Sequence, residues 1–431
     1  MLSAPAAGVL LIAATLTGCH REGASGGAGA SGGDASPSAT GAPPAASAAP
    51  GQCLSAFDFL VPYQSYKSGD VIRAITVAGD HVLFRNADDL MRVPLAGGPP
   101  VVVGKAPSMT LQFDARPTMW LVGDKLVTQS PGAPAFLEAP TAGGAWTTLV
   151  NLTGGELGSR LETGQHVVNT LLSGSGEHAH PAMFDGKAFY WIESHSGSKG
   201  KPGMDTLRTV PLSGSPAKTL YEWEGDLKAL AIAGDRLVFE RTDPQKKEPA
   251  PPRHTGPKGK LDFVIPPHPP THLASMPVQG GSVDVLSHVS SMEGNIGTGD
   301  VLFTDGDTVY VTGFQDEDIQ KPGIFRISAR PGSVLERIDD RHVSGEGFVY
   351  GDHYVIAGHG PFEPKAPGGD VFANLGIVVL TGDRHGGPLQ RVACIHGNYT
   401  VHAYAVTGKT LLVSIFKSDD KQAAIIRVPL P

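Results

Sequence analysis

Ile72-Arg73-Ala74-Ile75-Thr76-Val77-Ala78-Gly79-Asp80-His81-Val82-Leu83-Phe84-Arg85, followed by Leu90-Met91-Arg92-Val93-Pro94-Leu95-Ala96-Gly97-Gly98 and the apolar run Pro100 to Val103, is the stretch that decides the fold. It reads as four short strands. Ile72 to Ala78 is followed by a Gly-Asp turn, His81 to Arg85 by a short loop, and Leu90 to Pro94 by a Gly-Gly turn before Pro100 to Val103. Glycine suits the first turn because it accepts positive φ without a steric penalty. The strands are apolar at successive positions, as expected where both faces are covered.

The same cassette returns along the chain. The first-turn glycine falls at Gly79, Gly123, Gly186, Gly234, Gly306, Gly351 and Gly408. The second turn recurs as Pro140 to Gly144, Pro211 to Gly214, Pro277 to Gly281, Pro331-Gly332 and Gly386-Gly387. Strands repeating at this period, with no helix between them, predict a β-propeller of four-stranded blades. The last cassette offers only three strands, Val401 to Val406, Leu411 to Phe416 and Ala424 to Pro429. The run Phe57 to Gln64 has no cassette of its own. The N-terminal run is therefore expected to complete the last blade, giving seven blades over residues 53–431. A six-bladed ring with one weak unit outside it is the alternative.

Composition agrees. The 431 residues include 56 glycines and 36 prolines, as a turn-rich β protein requires. Charged residues make up 18%, and the formal net charge is -8. No basic stripe is present, which excludes a nucleic-acid binder.

Residues 1–18 read as a signal peptide whose apolar run, Ala6 to Gly18, is too short to span a membrane. The ending Leu16-Thr17-Gly18-Cys19 resembles the lipobox of bacterial lipoproteins, although Met1 to Pro5 lacks the usual Lys or Arg. That resemblance implies lipidation of Cys19 and a membrane contact through this anchor alone. Having His20 rather than Asp after the cysteine implies the outer membrane. An ordinary cleaved secretory peptide is the alternative. Residues 20–52 are almost entirely Gly, Ala, Ser and Pro, and residues 19–52 are expected to form a disordered tether with a reach of roughly 30 Å. Its two G-x-S-x-G matches, at Gly23 and Gly29, lack the strand and helix that a nucleophile elbow needs.

Cys53 and Cys394 remain. In an oxidising envelope they are candidates for a disulfide tying the N-terminus to the late blades, with a chain-entropy ceiling of about 5 kcal/mol. Two buried free thiols are the alternative.

The best copies of the repeat, Leu90 to Gly98 and Leu207 to Gly214, resemble the TolB-like and YWTD-like bacterial propellers. The resemblance covers about residues 71–431. It implies fold more than function, since such propellers include binding proteins, scaffolds and enzymes.

Candidate site residues follow from the repeat. The second-to-third connections lengthen at Ser194 to Asp205, Asp243 to Thr271, Gln315 to Gly323 and Gly358 to Asn374; the inter-unit segment Asn151 to Glu177 is also long. Long loops on one face of a rigid ring are where recognition is expected. Six residues before each first-turn glycine stand Arg73, Pro117, His180, Lys228, Asp300, Gly345 and His402, predicted to border the central channel. Glu177, His178, His342, Glu346 and His396 lie near them in sequence. These residues could form a solvated polar mouth, a small-molecule or peptide pocket, or a metal site. Because His178 and His180 alternate along a strand, a metal would need ligands from several blades, as in lactonase-type propellers. Asp316-Glu317-Asp318 is a weak calcium candidate, and Lys246-Lys247 with Arg253 to Lys260 a small basic patch. No P-loop, Rossmann fingerprint or Cys-x-x-Cys occurs, and no second domain carrying a peptidase triad is expected.

These features point to a lipid-anchored, monomeric envelope propeller without a cofactor. The expected role is non-enzymatic, binding a protein, peptide or glycan through loops on one face. A metal-dependent hydrolase or lactonase at the channel mouth is the alternative.

Overall fold

The computed structural model describes residues 53–54, 56–65, 72–86, 88–106, 119–129, 135–151, 182–195, 204–214, 216–244, 271–287, 289–290, 301–315, 322–362 and 375–431. After β1 (Asp58–Ser65), blade one holds β2 (Ile72–Ala78), β3 (His81–Asn86), β4 (Asp89–Pro94) and β5 (Val101–Lys105). Blade two holds β6 (Met119–Val122), β7 (Lys125–Gln129), β8 (Ala135–Pro140) and β9 (Thr147–Asn151). Blade three holds β10 (Met183–Phe184), β11 (Ala188–His195), β12 (Met204–Pro211) and β13 (Lys218–Trp223). Blade four holds β14 (Leu227–Ala233), β15 (Arg236–Thr242), β16 (Thr271–Pro277) and β17 (Asp284–Ser287). Blade five holds β18 (Val289–Ser290) and β19 (Val301–Asp305), both paired with β20 (Thr308–Gln315), then β21 (Pro322–Ser328) and β22 (Glu336–Asp339). Blade six holds β23 (Ser344–Tyr350), β24 (His353–Pro361), β25 (Leu375–Asp383) and β26 (Gln390–Ile395). Blade seven holds β27 (Tyr399–Thr407), β28 (Thr410–Lys417) and β29 (Gln422–Pro429).

The last sheet has the order β1-β29-β28-β27, so the N-terminal strand is the outer strand of the final blade. β27 in turn lies against β2 of blade one. The ring is closed, and it has seven blades rather than six.

The apolar runs are explained by the seams. Among the described residues, each pair of neighbouring blades encloses its own hydrophobic cluster, one at each of the seven seams. In β3, Val82 and Phe84 face blade seven while Leu83 faces blade two. Both faces of one strand are thus buried, which gives a continuous rather than alternating apolar pattern.

The two turns of each cassette meet on one rim. The residue that follows the third strand donates its N–H to a carbonyl in the first turn in every blade. The pairs are Leu95 to Asp80 (2.8 Å), Thr141 to Asp124 (2.9 Å), Leu212 to Lys187 (2.7 Å), Val278 to Asp235 (3.0 Å), Ala329 to Asp307 (2.7 Å), Arg384 to Asp352 (3.0 Å) and Leu430 to Lys409 (2.8 Å). The first-turn glycines all adopt positive φ, from 55° at Gly408 to 88° at Gly186, which places the carbonyl for this bond.

The opposite rim carries the second-to-third connections and the links between blades. The inner strands are irregular near it. Register breaks fall between Arg73 and Ile75, Lys228 and Ala231, Val301 and Phe303, and Val401 and Ala403. Such bulges re-aim side chains where a strand meets a site. The six-residue count from the sequence lands on or beside them.

Candidate functional site

The predicted channel residues divide into three groups. Glu177, His178, His180, Asp300 and Pro117 lie outside the described residues, as do Cys19, residues 1–52, Asp316 to Asp318, Lys246-Lys247 and Arg253 to Lys260. Arg73 is placed in β2, at its bulge. The others are described in full. Lys228 is buried at the start of β14, opposite Glu240 of β15. His342 is buried in the link to blade six, and Glu346 is half-buried in β23 opposite Ala357. His402 sits in the β27 bulge with its ring 5.9 Å from that of Phe416.

Cys53 and Cys394 form the expected disulfide. His396 is exposed beside it, with its ring edge-on to Phe362 at 4.2 Å. Among the described residues, His342, Glu346, His396 and His402 do not form a three-ligand group. The grouping of that kind is Cys53, Cys394 and His396.

Buried charge points elsewhere. Among the described residues, Arg85, Arg341 and His342 are buried on other parts of the ring, whereas Glu193, Asp205, Arg208, Lys228, Arg236, Glu240 and His272 are all on blades three and four. Burying a charge is costly unless it is paired, so such a concentration needs a reason.

The pairing is specific. In β11, Trp191 Nε1 donates to Glu193 at 2.8 Å, and Arg208 Nη1 donates to the other oxygen of Glu193 at 3.3 Å. Asp205 accepts the N–H of Leu227 at 2.7 Å and so ties blade three to blade four. Both connections leave from the same rim.

The longest second-to-third connection runs from β15 to β16, and its two feet carry a dyad. His272 Nε2–H donates to Asp243 Oδ2 at 3.3 Å, with side-chain exposures of 11% and 38%. In this tautomer Nδ1 is the basic nitrogen of the imidazole. The hydroxyls of Thr242 and Thr271 lie 3.0 Å apart and close the loop base. Arg241, the cross-strand neighbour of His272, stacks over Trp223 at 4.2 Å and donates to the Tyr221 hydroxyl at 3.3 Å. Trp223 Nε1 donates to the Thr242 carbonyl at 2.7 Å. The seam end is thus a half-buried surface of Tyr221, Trp223, Arg241, His272 and Asp243.

No family model matches the chain, and no curated protein matches it. Solved structures do share the fold. A puromycin-hydrolyzing peptidase of Mycobacterium tuberculosis is 13% identical with a TM-score of 0.49, covering 86% of this chain and 57% of the peptidase. The propeller domain of the Trilobed protease from Pyrococcus furiosus is 9% identical with a TM-score of 0.45, covering 85% and 97%. An oligogalacturonate lyase from Vibrio parahaemolyticus is 10% identical with a TM-score of 0.49, covering 86% and 97%. The chain spans about half the length of the peptidases it matches. These likenesses speak to the fold.

They also correct one expectation. Propellers of this build occur in peptidases and a lyase, so the reading as a non-enzymatic binding scaffold is withdrawn. That reading rested on the anchor, the tether, the long loops on one face and the lack of a recognisable catalytic constellation.

The sequence count found Lys228 but missed Glu193, Asp205, Arg208, Glu240, Asp243 and His272. One signal was available. Asp243 and His272 flank the longest insertion, and ionisable residues at the feet of an elaborated loop sit where a rigid scaffold meets function.

Proposed function

We propose that this chain is an envelope hydrolase, tethered through Cys19, whose reaction centre lies at the loop end of the seam between blades three and four. The TolB-like or YWTD-like propeller character belongs to the same reading. The observation that carries it is the Asp243–His272 dyad, placed at the foot of the longest loop and within the sector that holds most of the buried charge.

In this reading His272 takes a proton from a water molecule as that water attacks an ester or amide carbonyl. Asp243 holds the imidazole in one tautomer and stabilises the cation that forms. Tyr221 and Trp223 offer an aromatic surface for a peptide or glycan substrate, with Arg241 as the adjacent cation. The channel-mouth metal reading has less support, since His342, Glu346 and His402 do not group with one another.

The test is turnover of p-nitrophenyl esters and aminoacyl p-nitroanilides by the full chain and by H272A. The expected result is a turnover that H272A lowers at least about 100-fold, the lower range for a general base. Turnover of no member of the panel, or equal turnover by H272A, would overturn the proposal.

A further inference from the structure

Cys53, Cys394 and His396 form a donor set that the disulfide occupies only in part. Each offers one ligand atom, and these atoms all lie within 4.8 Å of one another. Tetrahedral zinc with two thiolates and an imidazole needs donor atoms separated by about 3.5–3.8 Å, given its bond lengths. In the folded chain the two sulfurs are bonded to each other and must part to reach that spacing, while the imidazole nitrogen already lies within 4.8 Å of both.

Backbone pairing joins the same two segments beside the sulfur–sulfur bond. Leu54 N–H donates to the Cys394 carbonyl at 2.7 Å, and residues 53 and 394 form a parallel bridge with Cα atoms 4.2 Å apart. β1 is anchored by its pairing with β29. Cys394 and His396 are two residues apart at the end of a strand, a spacing that puts side chains on one side. Phe362 packs against both the His396 ring and the cluster containing the two cysteines. His396 is exposed, so the fourth position faces solvent.

We infer that these residues form a zinc site when the disulfide is reduced, with two thiolates and one neutral imidazole as ligands and water in the fourth position. The exchange balances. A dithiol supplies two electrons and two protons and becomes a disulfide, or a phosphine supplies two electrons and becomes its oxide while water provides the oxygen and the two protons; either way the sulfur–sulfur bond breaks and two thiols result. Zinc then displaces the two thiol protons to solvent as both Zn–S bonds form. The sulfurs are committed either to each other or to the metal, so redox state selects the occupant. Sulfur and imidazole donors match zinc better than calcium or magnesium. This inference is independent of the reaction proposed at blades three and four.

The experiment uses the full chain carrying C19S, which removes the third thiol. The protein is reduced with a phosphine, desalted without oxygen and titrated with Zn²⁺, and in parallel with Co²⁺ as a spectroscopic probe. One metal per chain is expected after reduction, with near-ultraviolet thiolate-to-cobalt charge transfer, and none before it. H396A keeps both cysteines and should weaken binding by at least about tenfold, since even an outer-shell partner is worth that much. Absence of binding after reduction, or an H396A titration that superimposes on its parent, would overturn the inference. So would binding by a chain whose near-ultraviolet circular dichroism has collapsed, because an unfolded chain holds no preset site.

Discussion

Cys53 and Cys394, 341 residues apart, are bonded with their Cα atoms 4.2 Å apart. The bond ties the segment before β1 to the end of β26, so blade six holds the strand that completes blade seven. Replacing both cysteines with alanine frees that segment in the unfolded chain. We expect a loss of about 2–5 kcal/mol in guanidinium unfolding under oxidising conditions. Under reducing conditions without metal, parent and variant should unfold at nearly the same denaturant concentration.

Ring closure makes its own prediction. Leu60 of β1 is 2% exposed in the cluster between blades seven and one, beside Ile72 and Ile425. Leu60→Ala leaves a cavity at the join, and it should cost about 2–5 kcal/mol by urea unfolding. Arg427 also spans this join, donating to Asp58, to the Phe59 carbonyl and to the Leu95 carbonyl of blade one. Leu60→Ala with no effect on stability would mean that β1 is dispensable and the ring is held elsewhere.

The fold was legible because it is written locally and repeatedly. Gly79 and Asp80 make the turn that Gly408 and Lys409 make in the last blade, and each copy carries its own apolar strands. Closure could be inferred from one missing strand and one spare. Site residues were far less legible. His272 and Asp243 are 29 residues apart and meet only because β15 and β16 pair. Glu193 and Arg208 similarly come together through β11 and β12, in a register that no local pattern announces. Counting from the turns found Lys228 because the inner strand is repetitive. The same count could not reach the second and third strands, where connection lengths differ between blades.

The Glu193–Arg208 pair separates structure from chemistry. Both side chains are nearly excluded from solvent, at 1% and 3% exposure, with Trp191 as a third partner. Arg208→Ala removes the cation paired with the buried Glu193 carboxylate and should cost about 3–5 kcal/mol. Replacing both by apolar residues of similar size, Glu193→Leu with Arg208→Met, should cost much less than Arg208→Ala alone. A double change as damaging as the single one would show that the charges are needed in the folded protein for more than each other.

Alkaline pH reports on the seams. Burial raises the phenols of Tyr190, Tyr310, Tyr350 and Tyr354 above their ordinary value near 10; at Tyr190 the hydrogen bond donated to Asp185 adds to it. A phenol with a raised folded pKa favours the folded state fully below the unfolded value. That contribution is lost as pH rises past 10 toward the folded value, because the unfolded chain ionises first. Stability should therefore be insensitive to these groups up to about pH 10 and fall above it. Absorbance of tyrosinate should show a late step coincident with loss of circular dichroism. Ionisation of all nine tyrosines in one step near pH 10, with the fold intact, would contradict their burial.

Asp243→Asn is the sharper probe of the proposed reaction. Asparagine keeps the size of the side chain and its reach to His272, so stability should change little at this partly exposed position. An amide can present its NH₂ to the ring, which favours a proton on Nδ1 and removes the basic nitrogen from the position argued above. The carboxylate that would stabilise the imidazolium is also lost. We expect kcat on a responsive ester to fall by about 10²–10⁴ with KM nearly unchanged, the pattern of a group acting in the transition state. A variant that raised KM alone would instead place Asp243 in substrate binding rather than in the orientation of His272.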